Sequence, residues 1–225
     1  MAVIAPSLLA ADCARLAEVL ETIKTAGAPM VHLDVMDGHF VPDITVGQPV
    51  IAGLRKATDL PFDVHLLIER PERYVAEFVE AGADRICVHA EATPHLHRAL
   101  DLIRAQGAKA GVALNPASPV EALVEVLGEV DFLNILTSDP GREEQEFIPA
   151  AVGKVRAASD MRAERHLDFA LQAEGAVGQG NLAELARAGA DILVVGSVIF
   201  DSDDPQARLT EMIRLAGEIG LKSKV

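Results

Sequence analysis

His32-Leu33-Asp34-Val35-Met36-Asp37-Gly38-His39-Phe40-Val41-Pro42, read together with Asp63-Val64-His65, decides how this chain folds and what chemistry it offers. In each piece an apolar run of strand type ends in alternating His and Asp residues. His32 and Asp34 lie two residues apart, and side chains alternate across a strand, so both point to the same face. His65 closes the next strand-like run with the same kind of ligand. Two imidazoles and a carboxylate converging on one point can hold a divalent metal, and a carboxylate beside a metal can move a proton on carbon. A hydrogen-bonded polar cluster without metal is the alternative reading of these residues.

Working outward from this stretch, short apolar runs alternate with amphipathic helical patterns along the chain. The strand candidates are Val3–Leu9, Met30–Asp34, Phe62–Leu66, Arg85–His89, Ala108–Leu114, Asp131–Leu136, Phe169–Ala173 and Ile192–Gly196. Helical patterns cover Cys13–Thr25, Gly47–Ala57, Pro71–Glu80, His95–Ala105, Pro119–Val126, Ile148–Ser159, Leu182–Ala188 and Pro205–Ile219. Eight strands, each followed by a helix, predict an α/β protein with a single (β/α)8 TIM barrel spanning residues 1–225. Ala26-Gly27-Ala28, Ala81-Gly82-Ala83, Gly107-Ala108 and Ala188-Gly189-Ala190 sit where a helix would end and a strand begin. A doubly wound open sheet is the competing architecture, but no Gly-x-Gly-x-x-Gly follows the first strand. In a barrel the carboxyl ends of the strands share one mouth, and Ser7, His32, Asp34, His65, His89, Asn115, Thr137, Glu174 and Gly196-Ser197 fall there.

Bulk composition agrees with this architecture. Half of the 225 residues are hydrophobic, mean hydropathy is +0.23, and there is no Trp. A core of Ala, Val, Ile and Leu suits parallel strands covered by helices on their outer face. The net charge of −14 disfavours binding to nucleic acid or an anionic membrane. Cys13 and Cys87 are too few for a disulfide framework and are expected to pack in helix and strand. Without a signal-type N-terminus or a long apolar run, the expected location is cytoplasmic. His39 and His89 are expected to pack or to support the site, and His95, His97 and His166 to lie on the surface.

Ala5-Pro6-Ser7-Leu8-Leu9, the His32–Pro42 run, Asp63-Val64-His65-Leu66, Val88-His89-Ala90-Glu91-Ala92-Thr93, Leu114-Asn115-Pro116 and Val195-Gly196-Ser197 together resemble ribulose-phosphate 3-epimerase, in one register from Ala5 to about Phe200. The resemblance implies a (β/α)8 barrel and inversion at C3 of a ketose phosphate, D-ribulose 5-phosphate to D-xylulose 5-phosphate. It implies one divalent metal (zinc, iron or manganese) held by two His and two carboxylates. Carried over by motif, His32, Asp34 and His65 fall on three ligands and Glu174 on the fourth, with Asp34 and Glu174 as the acid–base pair. Met36 falls on a Met that packs against the reacting centre. Ser7, His65, Gly141, Gly175, Ala176, Gly196 and Ser197 fall with it on the substrate side. A small sugar phosphate as partner and a homo-oligomer, dimer or hexamer, are also implied.

The chemistry is coherent on physical grounds. The C3 proton is α to the C2 ketone, and its removal leaves an enediolate whose charge a Lewis acid stabilises. Inversion then needs one carboxyl group on each face of the planar intermediate, one after the second strand and one after the seventh. Three departures from the family bear on function. Glu174-Gly175-Ala176 stands where the family has Asp-Gly-Gly, and the extra methylene displaces the carboxyl by about 1.5 Å unless the backbone retreats. Asp139-Pro140-Gly141-Arg142-Glu143-Glu144-Gln145 stands where the family has Asn-Pro-Gly-Phe-Gly-Gly-Gln, so two Glu residues crowd a glycine nest for phosphate while Arg142 compensates in part. Leu67 and Leu136 replace Met, a mild change in volume. These departures keep two further readings open: a relative acting on another sugar phosphate, and a non-catalytic sugar-phosphate-binding or regulatory protein. A decarboxylase or synthase on the same barrel is disfavoured, because Met36 sits where Asp-x-Lys-x-x-Asp would need its Lys.

Overall fold

The computed structural model describes residues 2–142 and 145–222, so Glu143 and Glu144 of the altered loop lie outside the described residues. Eight parallel strands form one sheet: β1 (Val3–Pro6), β2 (Val31–Met36), β3 (Phe62–Leu67), β4 (Arg85–His89), β5 (Lys109–Leu114), β6 (Phe132–Leu136), β7 (Ala170–Glu174) and β8 (Ile192–Val195). Their order is β1-β8-β7-β6-β5-β4-β3-β2, and a parallel bridge between Ser7 and His32 brings the two ends together. The sheet is thus a nearly closed barrel. Around it run α1 (Leu16–Ala26), α2 (Gln48–Arg55), α3 (Val75–Glu80), α4 (Leu96–Ala105), α5 (Ala150–Glu164), α6 (Leu182–Ala188), α7 (Ser197–Phe200) and α8 (Pro205–Lys222). None of the described helices is long and apolar enough to cross a membrane.

Strand alternation divides the core in two. Outward residues such as Ile4, Leu33, Val64, Ile86, Val112, Leu133, Leu171 and Leu193 join the buried faces of the helices in one large apolar layer. Helix α1 contributes Leu16, Leu20 and Ile23 at helical spacing, and it stops where Gly27, at φ 85, caps the carbonyls of Ile23 and Lys24. Inside the barrel, Ala5, Ile192 and Val194 pack against Val3, Met30 and Ala170, and Cys87 and Ala113 pack against Phe132. The Arg85 guanidinium lies 3.9 Å from the centre of the Phe132 ring. A Cβ at Gly111 would overlap that ring, so the smallest residue is needed there. Inward positions His32, Asp34, Asp63, His65, Gln172 and Glu174 on β2, β3 and β7 are polar and hold the site, with Met36 and Leu67 as apolar neighbours at the strand ends.

Several sequence expectations are corrected. The helix expected over Pro119–Val126 is instead a pair of 3-10 turns, Val120–Leu123 and Leu127–Glu129. Val120, Val124, Val126 and Val130 disfavour a helix nucleus in so short a segment, yet Val120, Leu123 and Leu127 still bury their side chains. Strand β1 ends at Pro6, because the Ser7 side chain accepts the Leu9 N–H and turns Leu8–Ala10 into a 3-10 turn. Strand β2 runs on to Met36, two residues beyond the expected end. Cys13 is exposed, not packed: Asp12 caps a 3-10 turn at Cys13–Arg15 and α1 begins only at Leu16. Cys87 is buried as expected.

Candidate metal centre and catalytic cavity

The register of β2 against β3 places His32 opposite Asp63 and Asp34 opposite His65, so all four side chains enter the barrel side by side. Glu174, the last residue of β7, reaches the same point from across the mouth. Its Oε1 lies 2.9 Å from His65 Nδ1, and its Oε2 lies 3.3 Å from His32 Nε2. Asp34 Oδ1 is 3.3 Å from both His32 Nε2 and His65 Nδ1. His32, Asp34, His65 and Glu174 each offer one ligand atom, and these atoms all lie within 4.8 Å of one another. The structure therefore gathers the four expected residues, and the extra methylene of Glu174 leaves its carboxyl within the cluster.

Each member is held from behind. The Ser7 hydroxyl donates to Asp34 Oδ2 at 2.6 Å, and Thr45 donates to the Asp34 carbonyl at 2.7 Å. His32 Nδ1 lies 2.8 Å from Asp63 Oδ2. Asp63 also accepts from Arg85 Nε at 2.9 Å and from the Gln172 amide at 3.0 Å. Burial alone would raise the Asp63 pKa, but His32 and Arg85 outweigh it and hold it at about 2. His65 Nε2 meets His89 Nε2 at 2.9 Å, and His89 Nδ1 meets Glu91 at 3.2 Å. Asn134 donates its amide to Glu174 Oε2 at 2.5 Å, while its own Oδ1 is buried without a partner.

The electrostatics of the cluster test whether a cation fits. Burial pulls the His65 pKa down, but the charges of Glu174 and Asp34 override it and raise it to about 9. His32 is raised in the same way, and the two imidazoles hold Asp34 well below the usual carboxylate range despite its burial. Two imidazolium and two carboxylate groups balance one another, and one divalent ion can replace the two protons charge for charge. The far nitrogen of each imidazole is already engaged, which leaves the near nitrogen to face the ion. The residues present fit a divalent metal.

Above the cluster opens a cavity of about 380 Å³, and Asp34 and Glu174 belong both to the cluster and to its wall. Ser7, Met36, Gly175, Ala176, Gly196 and Ser197 also line it, with Leu67 and Leu136 as apolar wall. His65 is fully buried and does not line it. Gly141 does not line it either: at φ 74 it packs on Val41 and Pro42, where a Cβ would have no room, while Pro140 and Arg142 beside it reach the cavity. Gly175, at φ 104, lies so close to Ser138 that a side chain there would collide. Ala176 takes a left-handed conformation, φ 49, which L residues adopt at a cost.

Other expectations separate as well. His39 is exposed instead of packed: Asp37 accepts the backbone N–H groups of His39 and Phe40, and with Gly38 at φ 72 the turn sends the His39 ring outward. Phe40 takes the inner place, 4.7 Å from the His89 ring. His95, His97 and His166 are exposed as expected. Sequence reasoning missed Asp63, Glu91, Asn134 and Gln172. For Asp63 the signal was present, since it lies two residues before His65 and shares its strand face.

Comparison with known proteins agrees with the geometry. A family model described as ribulose-phosphate 3 epimerase family matches residues 3–200. The chain is 42% identical to ribulose-phosphate 3-epimerase of Bacillus subtilis (strain 168), covering 93% of this chain and 97% of the relative. It is 45% identical to the enzyme of that name from Treponema pallidum (strain Nichols), covering 88% of this chain and 90% of the relative. Among solved structures, orotidine 5'-phosphate decarboxylase from Pyrococcus horikoshii OT3 superposes with a TM-score of 0.70 over 95% of this chain and 99% of that one, at 16% identity, a likeness of fold alone. Since the matched region spans every strand that carries a cluster residue, the barrel and its mouth are inherited together, and the chain belongs to the ribulose-phosphate 3-epimerase family.

Proposed function

We propose that this chain is a metal-dependent epimerase that inverts C3 of D-ribulose 5-phosphate to give D-xylulose 5-phosphate, by proton transfer between Asp34 and Glu174. The observation that carries the reading is that these two carboxyl groups alone share both the four-residue donor cluster and the cavity wall. His32, Asp34, His65 and Glu174 would hold the ion, and two imidazoles with two carboxylates suit zinc, iron or manganese. When bound, such an ion supplies Lewis-acid stabilisation of negative charge on the substrate oxygens.

The remaining work falls to the chain's own side chains. Asp34, held by the Ser7 hydroxyl, takes the proton from C3, which the adjacent ketone acidifies. Glu174 delivers a proton to the other face, so the carbon returns with inverted configuration. The two groups stand on β2 and β7, separated in the sheet by β1 and β8, as a two-sided attack requires. Burial and the neighbouring Asp34 charge oppose ionisation of Glu174, but His65 and His32 outweigh them and hold its carboxyl below the usual range, as they do Asp34. Met36, Leu67 and Leu136 keep water from the reacting carbon. The phosphate would rest against Gly175, Ala176, Gly196 and Ser197, with Arg142 adding positive charge.

The test is isotope exchange. In deuterated water with D-ribulose 5-phosphate, label enters C3 and the product is D-xylulose 5-phosphate. Protein that contains metal but leaves C3 unlabelled contradicts the assignment. Arg142 and Ala176 favour a second reading, a different ketose phosphate as substrate, in which exchange appears with that sugar and not with the pentulose.

A further inference from the structure

We propose that Glu91 is a positioning residue: acting through His89, its carboxylate fixes which nitrogen of His65 carries the hydrogen and keeps His65 Nδ1 open to the cation. The inference rests on the metal-centre reading above and deepens it.

Hydrogen-bond direction passes from Glu91, which is partly open to water, to two buried imidazole rings. Glu91 leaves the turn after β4, and its Oε1 accepts the backbone N–H of Asn115 at 2.8 Å together with the Ser118 hydroxyl. Its Oε2 faces His89 Nδ1 at 3.2 Å. A carboxylate only accepts, so His89 must donate from Nδ1. The neutral ring then has its lone pair on Nε2, which faces His65 Nε2 at 2.9 Å. Two ring nitrogens at that distance share one hydrogen, so His65 donates from Nε2, and Nδ1 is the nitrogen whose hydrogen a cation would displace. That atom faces Glu174 at 2.9 Å and Asp34 at 3.3 Å, inside the donor cluster. Both rings are fully buried, their planes are within 20° of each other, and Phe40 covers His89. The hydrogen-bond directions are therefore fixed from the Glu91 end.

A single-atom change reverses the chain. In Glu91→Gln the amide oxygen must stay with Asn115, whose backbone N–H has no other direction. The amide NH2 then faces His89 Nδ1, which has to accept. The hydrogen moves to His89 Nε2, His65 Nε2 becomes the acceptor, and the remaining hydrogen of His65 sits on Nδ1, where the ion needs a lone pair. Size and shape are unchanged.

The experiment titrates metal-stripped parent and Glu91→Gln proteins with cobalt(II). It also reads the histidine ring nitrogens of the zinc-loaded parent by nitrogen-15 NMR. The expected result is at least about tenfold weaker cobalt binding in the variant, the range seen when support behind a ligating histidine is lost. In the parent, His89 carries its hydrogen on Nδ1 and His65 on Nε2. Cobalt affinity of the variant within roughly threefold of the parent overturns the proposal. So does a parent with the hydrogen of His89 on Nε2, a result that needs no variant to fold. A parent that binds no cobalt overturns the metal-centre reading itself, whereas a parent that binds it alongside an unaffected variant overturns only the role of Glu91.

Discussion

The β2–β3 side of the barrel mouth and the β6–β7 side meet at one cluster, but they are built differently. On the first side every polar group is engaged. His32 is backed by Asp63, Asp63 by Arg85 and Gln172, Asp34 by Ser7, and His65 by His89. On the second side Asn134 spends its amide on Glu174 and leaves Oδ1 buried and unpaired, and Ala176 holds a left-handed backbone. Gly141 is turned toward Val41 and Pro42. The departures from the family at Glu174, Ala176 and the Asp139–Gln145 loop all belong to this second side. The β2–β3 half of the proposed metal site is over-determined, while the half proposed to deliver the proton and receive the phosphate is adjusted at some cost in stability.

Substitutions can break or sharpen that contrast. The largest effect is expected at Asp63→Asn, which leaves the Arg85 guanidinium without its anion inside the barrel. Loss of one partner of a buried pair costs about 3–5 kcal/mol, to be read from the midpoint of urea unfolding. Unfolding unchanged within error would show that the first side is not over-determined.

Next is Asn134→Leu, similar in shape. It removes an unpaired buried acceptor, so stability should hold or rise, while Glu174 loses its clamp and C3 exchange falls about tenfold. A variant that is both less stable and fully active would reverse the account of the second side.

A smaller effect comes from acid. The Glu91 pKa is raised by burial but lowered more by His89, Ser118 and Asn115, to about 2 from its usual 4.5. Its contribution is present in full above about pH 4.5 and is lost as pH falls toward 2. Because the side chain is partly open to water, we expect a loss of about 1 kcal/mol, absent in Glu91→Gln. Equal acid sensitivity in the two proteins would remove Glu91 from the network. The smallest effect is at Ala176→Gly, where relief of the positive φ should stabilise the protein by about 0.5 kcal/mol, net of the greater freedom of glycine when unfolded.

The contrast also explains what the sequence made legible. His32 and Asp34 were readable because strand periodicity projects them to one face, His65 because it closes the next strand-like run, and Glu174 as a strand-end residue whose role the family resemblance supplied. The Asp63–Arg85–Gln172 net joins three strands that only barrel closure brings together, and Arg85 reads in sequence as an ordinary surface charge. Glu91 and Asn134 act on the site through contacts spanning two or more strands, beyond any local pattern. The segment from Pro119 to Glu129 kept its apolar spacing but not its helix, since burial at positions 120, 123 and 127 is equally satisfied by 3-10 turns. His39 points outward and Phe40 inward because a turn at Asp37-Gly38, not hydrophobic periodicity, sets their directions.

The most direct measurement of the central claim is anomalous X-ray scattering from crystals of the protein loaded with manganese or zinc. The account predicts one peak per chain, within about 2.0–2.3 Å of a donor atom from each of His32, Asp34, His65 and Glu174. A peak bound elsewhere, or none with these four side chains bonded only to one another, would contradict it.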